Sequence, residues 1–294
     1  MLNRRHILAG LSCAPALQLA GAVAPEWNLC IHQTTSSAAG YRKSLEGYAR
    51  AGIKHVEIIA AHVDAFIRTD GLPAAKRLLG DLGLTPVSHG GFRGLWEPLP
   101  ARAKALEDLK HHAEVAAGLG IDRMVGPSGA TAKFTLDDYK AAAGNAQEAG
   151  ETAKQFGVTL MVEFNRSSTF ISTLPTALRI VREASHPNVK TMLDFYHYWA
   201  GLSKFEDLES IRPGEIHHAH FQDVPDMPRE LLDNTTREIP GLGVTPIARI
   251  LPTLRAKGYS GAFSVELFYP KYQTGDPYDV ARAIREKAEP FLKS

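Results

Sequence analysis

Cysteine is almost absent: 294 residues carry only Cys13 and Cys30. A disulfide-stapled scaffold is thereby excluded, and a hydrophobic core must hold the fold. Charge of either sign is not in excess, since 33 Lys and Arg face 32 Asp and Glu and leave a formal net charge of +1. The broad positive field that a phosphate-backbone binder needs is missing, so nucleic acid is not expected as a partner. No apolar run approaches the ~20 residues that span a bilayer. No GxGxxG or GxxxxGKS/T motif follows the first expected strand, which removes the usual phosphate cradles.

The N-terminus differs in character from the rest. Asn3-Arg4-Arg5-His6-Ile7-Leu8 leads into a short apolar stretch broken by Gly10, Ser12, Pro15 and Gln18, and then into Ala20-Gly21-Ala22. Charged, apolar and small-residue regions in that order read as a signal peptide over residues 1–22, and the arginine pair reads as the twin-arginine export route. The expected location is periplasmic, with no stable membrane insertion after cleavage. Cleavage after Ala22 removes Cys13 and leaves Cys30 alone. Residues 23–294 are read as a single catalytic domain, and its assembly into a homo-oligomer is left open.

From residue 28 one unit repeats: a short β-rich apolar run, a polar loop, an amphipathic helix, then glycine. The expected strands are 28–33, 55–60, 85–89, 122–127, 159–164, 190–195, 216–222 and 262–268. Between them the helical period is explicit, with Leu174, Ala177, Leu178 and Val181 at i, i+3, i+4 and i+7, and Ile247, Ile250, Leu251 and Leu254 likewise. Gly52, Gly83, Gly120, Gly157 and Gly258 fall just before a strand, where a left-handed residue closes a helix. Strands alternating with helices imply parallel pairing, and eight such units close into an α/β (β/α)8 barrel.

In such a barrel chemistry gathers where strands end. Four consecutive expected strands end on metal-ligand residue types: Glu163, Asp194, His220 and Glu266. Three carboxylates beside an imidazole at the ends of apolar strands are costly to bury unless a cation neutralises them. One divalent metal ion is therefore expected, and the mixed oxygen and nitrogen set suits Mn2+, Mg2+, Co2+ or Zn2+ without choosing among them. Such a site favours a neutral polyhydroxylated ligand, a small carbohydrate or cyclitol, whose C–H beside a carbonyl is acidified. Glu163 and Glu266 could flank it and act as a proton-transfer pair. His197, Arg237 and His89 are candidate substrate-binding residues at the same rim, and Trp96, Tyr198 and Trp199 are candidate apolar walls.

On these residues the sequence resembles the xylose-isomerase-like TIM barrel superfamily of sugar isomerases and epimerases over nearly the whole chain after residue 22. The carrying motifs are Val162-Glu163-Phe164-Asn165, Leu193-Asp194-Phe195-Tyr196-His197, His218-Ala219-His220-Phe221-Gln222-Asp223, Arg237-Glu238-Ile239-Pro240-Gly241 and Ser264-Val265-Glu266-Leu267-Phe268. The resemblance implies that Glu163, Asp194, His220 and Glu266 bind one divalent metal and that the two glutamates are the acid/base pair. It places substrate contacts on His197 and Arg237. Ser264 to Tyr272 looks most like inosose isomerases, and ketose 3-epimerases are similar over the metal motifs. Thr169 stands where those epimerases carry a further glutamate, and Leu242 where the family has an acidic residue. A lyase using the same site is the alternative, while a sugar-binding protein and an apurinic endonuclease fit less well.

Overall fold

The computed structural model describes residues 27–293, so the expected signal over 1–22 lies outside the described residues. The strands are β1 Leu29–His32, β2 His55–Ile59, β3 Thr85–Gly90, β4 Arg123–Pro127, β5 Thr159–Glu163, β6 Val189–Asp194, β7 Ile216–His220 and β8 Phe263–Val265. They pair in parallel in chain order, and β8 returns to β1 to close the barrel. Among the described residues no helix is long and apolar enough to cross a membrane.

The repeat has a local cause in the sequence. All five glycines expected to stop helices adopt positive φ, between 64° and 84°, a region costly for other residues. The periodic segments form the helices Leu174–Ala184 and Ile247–Ala256, with Leu174, Ala177, Leu178, Val181, Ile247, Ile250, Leu251 and Leu254 buried. A continuous core fills the space between these helices and the strands.

Two strands stop two or more residues before their expected ends. The 262–268 run leaves the ladder after Val265 because the Leu267 amide donates to Thr35 Oγ1 at 3.0 Å instead of to a strand. The 216–222 run ends at His220, and Asp223 then pairs in both directions with Glu238 at 2.8 Å. These departures turn the chain outward where polar side chains are needed.

Candidate metal centre and active site

Glu163, Asp194 and His220 are the last residues of β5, β6 and β7, and Glu266 follows β8 by one residue. The parallel direction carries all four to one end of the barrel, and each offers a donor atom within 4.8 Å of the others'. His220 Nδ1 is the focus, 3.3 Å from Glu163 Oε1 and 3.4 Å from both Asp194 Oδ2 and Glu266 Oε2. It is buried and makes a well-formed hydrogen bond with none of them. Asp194 is oriented locally: its Oδ1 caps the helix Phe195–Ala200 by accepting from the His197 amide at 2.6 Å, which leaves Oδ2 for the centre.

The electrostatics show a cluster short of positive charge. Burial pushes Glu163 up to about 7, with His220 pulling against it. Burial also raises Glu266, but His220 and Arg237 outweigh it and hold that carboxyl at about 2. Asp194 is pulled well below the carboxylate range, because Arg237 and His197 overcome its burial. His220 rises well above an ordinary histidine, since Glu266 and Glu57 overcome the desolvation that would lower it. A dication fits this donor set: the three oxygens already converge on one imidazole nitrogen that has no settled partner.

Arg237 is fully buried against the same oxygens. Its Nη1 donates to Asp194 Oδ2 at 3.0 Å and to Glu266 Oε2 at 2.5 Å, and Nη2 lies 3.1 Å from His197 Nε2. The guanidinium is held between the Tyr196 and Phe268 rings, 4.6 and 4.8 Å from their centroids, and its Nε has no hydrogen-bond partner. Burial lowers His197 to about 3, so that ring is neutral and can accept. Arg237, His197, Glu163, His220 and Glu266 border a cavity of about 210 Å³, and Phe268 lines it beside them.

His89 is a correction to the sequence reading. Neighbouring strand residues face opposite sides, and on β3 it is Ser88 that faces the barrel interior, 3.5 Å from His218 Nε2. His89 therefore faces the helix layer, where Nδ1 lies 3.2 Å from the Ile58 carbonyl oxygen and the ring packs 5.4 Å from His112. Burial lowers it to about 4, and it does not border the cavity. Trp96, Tyr198 and Trp199 also stand away from the cavity: Trp96 donates to the Gly126 carbonyl at 2.7 Å and Tyr198 to that of Lys204 at 2.9 Å. Trp199 lies under Arg229. Phe268 supplies the apolar wall instead. Thr169 ties two loops together through the Ala130 and Ala132 carbonyls.

Two inward residues escaped the sequence reading. His32 ends β1 and brings Nε2 to 3.7 Å from Glu266 Oε1. Glu57, in the middle of β2, is wholly buried and approached by three histidines: His218 at 2.9 Å, His220 at 3.2 Å and His32 at 3.9 Å. The available signal was an acidic residue inside His55-Val56-Glu57-Ile58-Ile59, an otherwise apolar run.

Comparison with known proteins agrees with this architecture. A family model described as xylose isomerase-like TIM barrel matches residues 45–294. The inosose isomerase of Halalkalibacterium halodurans is 30% identical over 250 residues, 83% of this chain and 89% of that protein. A 3-dehydroshikimate dehydratase of Pseudomonas putida is 27% identical over 241 residues, 80% of this chain but 37% of that one. Among solved structures, an IolI protein with a bound zinc atom superposes with a TM-score of 0.84 at 20% identity, over 90% of this chain and 98% of that one. A D-psicose 3-epimerase from Clostridium cellulolyticum, solved with D-tagatose, gives 0.73 at 20% identity over 91% and 100%. At those identities the two structures show a shared fold.

Proposed function

Since the chain belongs to the xylose isomerase-like TIM barrel family, we propose that it is a divalent-metal-dependent isomerase or epimerase of a ketose or inosose. The observation that carries this reading is the placement of Glu163 and Glu266 on one cavity with Asp194 and His220 between them in strand order. The cavity, about 210 Å³, falls below the ~300 Å³ at which pockets for drug-sized ligands begin, and suits a small polyol.

Glu163, Asp194, His220 and Glu266 would hold the metal, which supplies Lewis acidity toward the substrate carbonyl. One glutamate removes the proton from the adjacent carbon to give an ene-diolate, and the other returns a proton there or at the neighbouring carbon. Arg237 borders the cavity and would offer a guanidinium N–H to a substrate oxygen, and neutral His197 holds that guanidinium in place.

A second reading uses the same proton abstraction and then expels a β-hydroxyl as water. Similarity to 3-dehydroshikimate dehydratases favours it. Both readings meet one experiment, in which the protein is incubated with a panel of ketoses and inososes in D2O with each candidate metal and the products are weighed and examined by NMR. Isomerisation keeps the substrate's mass apart from carbon-bound deuterium, whereas dehydration lowers it by one water. Turnover without carbon-bound deuterium would count against solvent-exchanged proton transfer.

A further inference from the structure

Glu57 stands in the barrel interior with no exposed surface, and burying a carboxylate there is costly compared with an apolar side chain of similar volume. Two features set its surroundings apart. Its Oε2 is shared by the Nε2 atoms of His218 and His220, at 2.9 and 3.2 Å, while its Oε1 has no hydrogen-bond partner. His218 and His220 are two residues apart on β7, so they face the interior together and meet Glu57 from β2 on the other side of the barrel.

A carboxylate only accepts, so each ring must present a hydrogen on Nε2 to bond it. For His220 that leaves Nδ1, the nitrogen lying 3.3 to 3.4 Å from Glu163, Asp194 and Glu266. We propose that Glu57 is a positioning residue that fixes the His220 ring through its Nε2–H, so that Nδ1 is the atom offered to the metal. Carboxylates behind metal-bound histidines fix tautomer and orientation in this way, and their loss typically costs 10- to 100-fold in metal affinity. The inference rests on the metal-centre reading given above. His218, on the same oxygen, keeps Glu57 in register, and Ser88 Oγ lies 3.5 Å from that imidazole.

The test compares Glu57→Gln, which can keep an acceptor oxygen at the Oε2 position, with Glu57→Leu, which cannot. Metal affinity is measured by competition with a chelator, using Zn2+ and Mn2+. The Leu variant should bind about 10- to 100-fold more weakly, and the Gln variant should recover most of the loss. Equal affinity in all three proteins would overturn the proposal. Because Glu57→Leu could fail to fold, histidine 15N NMR of the native metal-free protein, taken at a pH high enough that the His220 ring holds a single hydrogen, provides a second reading, with His220 assigned by His220→Gln. Retention of the hydrogen on Nε2 is expected, and a His220 ring whose sole hydrogen is on Nδ1 would overturn the proposal. If the native protein takes up no divalent ion, the metal-centre reading fails by itself, and the NMR result still decides whether Glu57 sets the ring.

Discussion

If Glu163 and Glu266 both give oxygens to a metal ion, as proposed, a single atom change in either separates coordination from proton transfer. Replacing either with Gln keeps a side-chain oxygen for coordination and removes the basic site. If both act in proton transfer, Glu163→Gln and Glu266→Gln should lower turnover by about 10²- to 10⁴-fold while metal affinity falls much less. Kinetics at saturating metal, beside a direct binding titration, separate the two effects. Loss of activity that tracked metal loss alone would reduce both residues to ligands. The same scale shows where the sequence was readable. A ligand type directly after apolar strand residues, as in Met161-Val162-Glu163 or Met192-Leu193-Asp194, advertises itself by position. Glu57 did not, because it lies within a strand, and its meaning depends on two histidines more than 160 positions away.

Between the residue and the barrel stands the loop after β7, which carries Arg237 into the centre. Asp223 organises it: one carboxylate oxygen accepts from the Val224 and Thr245 amides at 2.9 and 2.7 Å, the other from Gly241 and Gly243 at 3.0 Å each. Gly241 has φ 90°, and a Cβ on Gly243 would lie 2.0 Å from the Val224 carbonyl oxygen, so the first glycine is favoured by its backbone conformation and the second is required by the close approach. Leu242 between them is about half exposed, 47%, so its departure from the acidic residue of related motifs leaves the anchor intact. Asp223→Ala should strand the buried Val224 and Thr245 amides, at about 1.5–3 kcal/mol for each charge-assisted bond not replaced by water. The displaced Arg237 should then lower kcat/KM by up to about 100-fold, and limited proteolysis should cut within residues 229–245. Wild-type kinetics and resistance to cleavage would show that the loop is held by other contacts. At this scale helix stops and strand order were legible, because glycine and hydrophobic period are local signals. The face of β3 was not: one residue of register separates inward Ser88 from outward His89.

For the whole molecule, the mouth of the barrel is a place where folding concentrates unbalanced charge. Glu57, Glu163, Asp194 and Glu266 are buried there, and the positive charge facing them comes from Arg237 and from His220 drawn into its charged form. An ion that binds only the folded chain adds stability of about 2.7 kcal/mol when present at 100 times its Kd. At about 2 to 4 °C per kcal/mol for a large domain, Tm should rise by about 5 to 10 °C on adding the correct metal, and a chelator should reverse the rise. The pH dependence follows from Glu163. Its folded pKa of about 7 lies above the ~4.3 of an unfolded glutamate, so the metal-free fold keeps this group's contribution in full below the unfolded value and loses it as pH rises through about 7. Metal binding needs Glu163 ionised and Nδ1 of His220 free of hydrogen, so protons compete with the ion below neutrality. Both effects act in the same direction, and the metal-induced gain in Tm should be larger at pH 8 than at pH 5.5. Asp194 and Glu266, held below the usual range, remain ionised across that window and add no slope of their own. Differential scanning calorimetry at the two pH values, with and without each of Mn2+, Mg2+, Co2+ and Zn2+, measures the gain. A Tm that no divalent ion moves at either pH would mean that the cluster is neutralised by Arg237 and His220 alone.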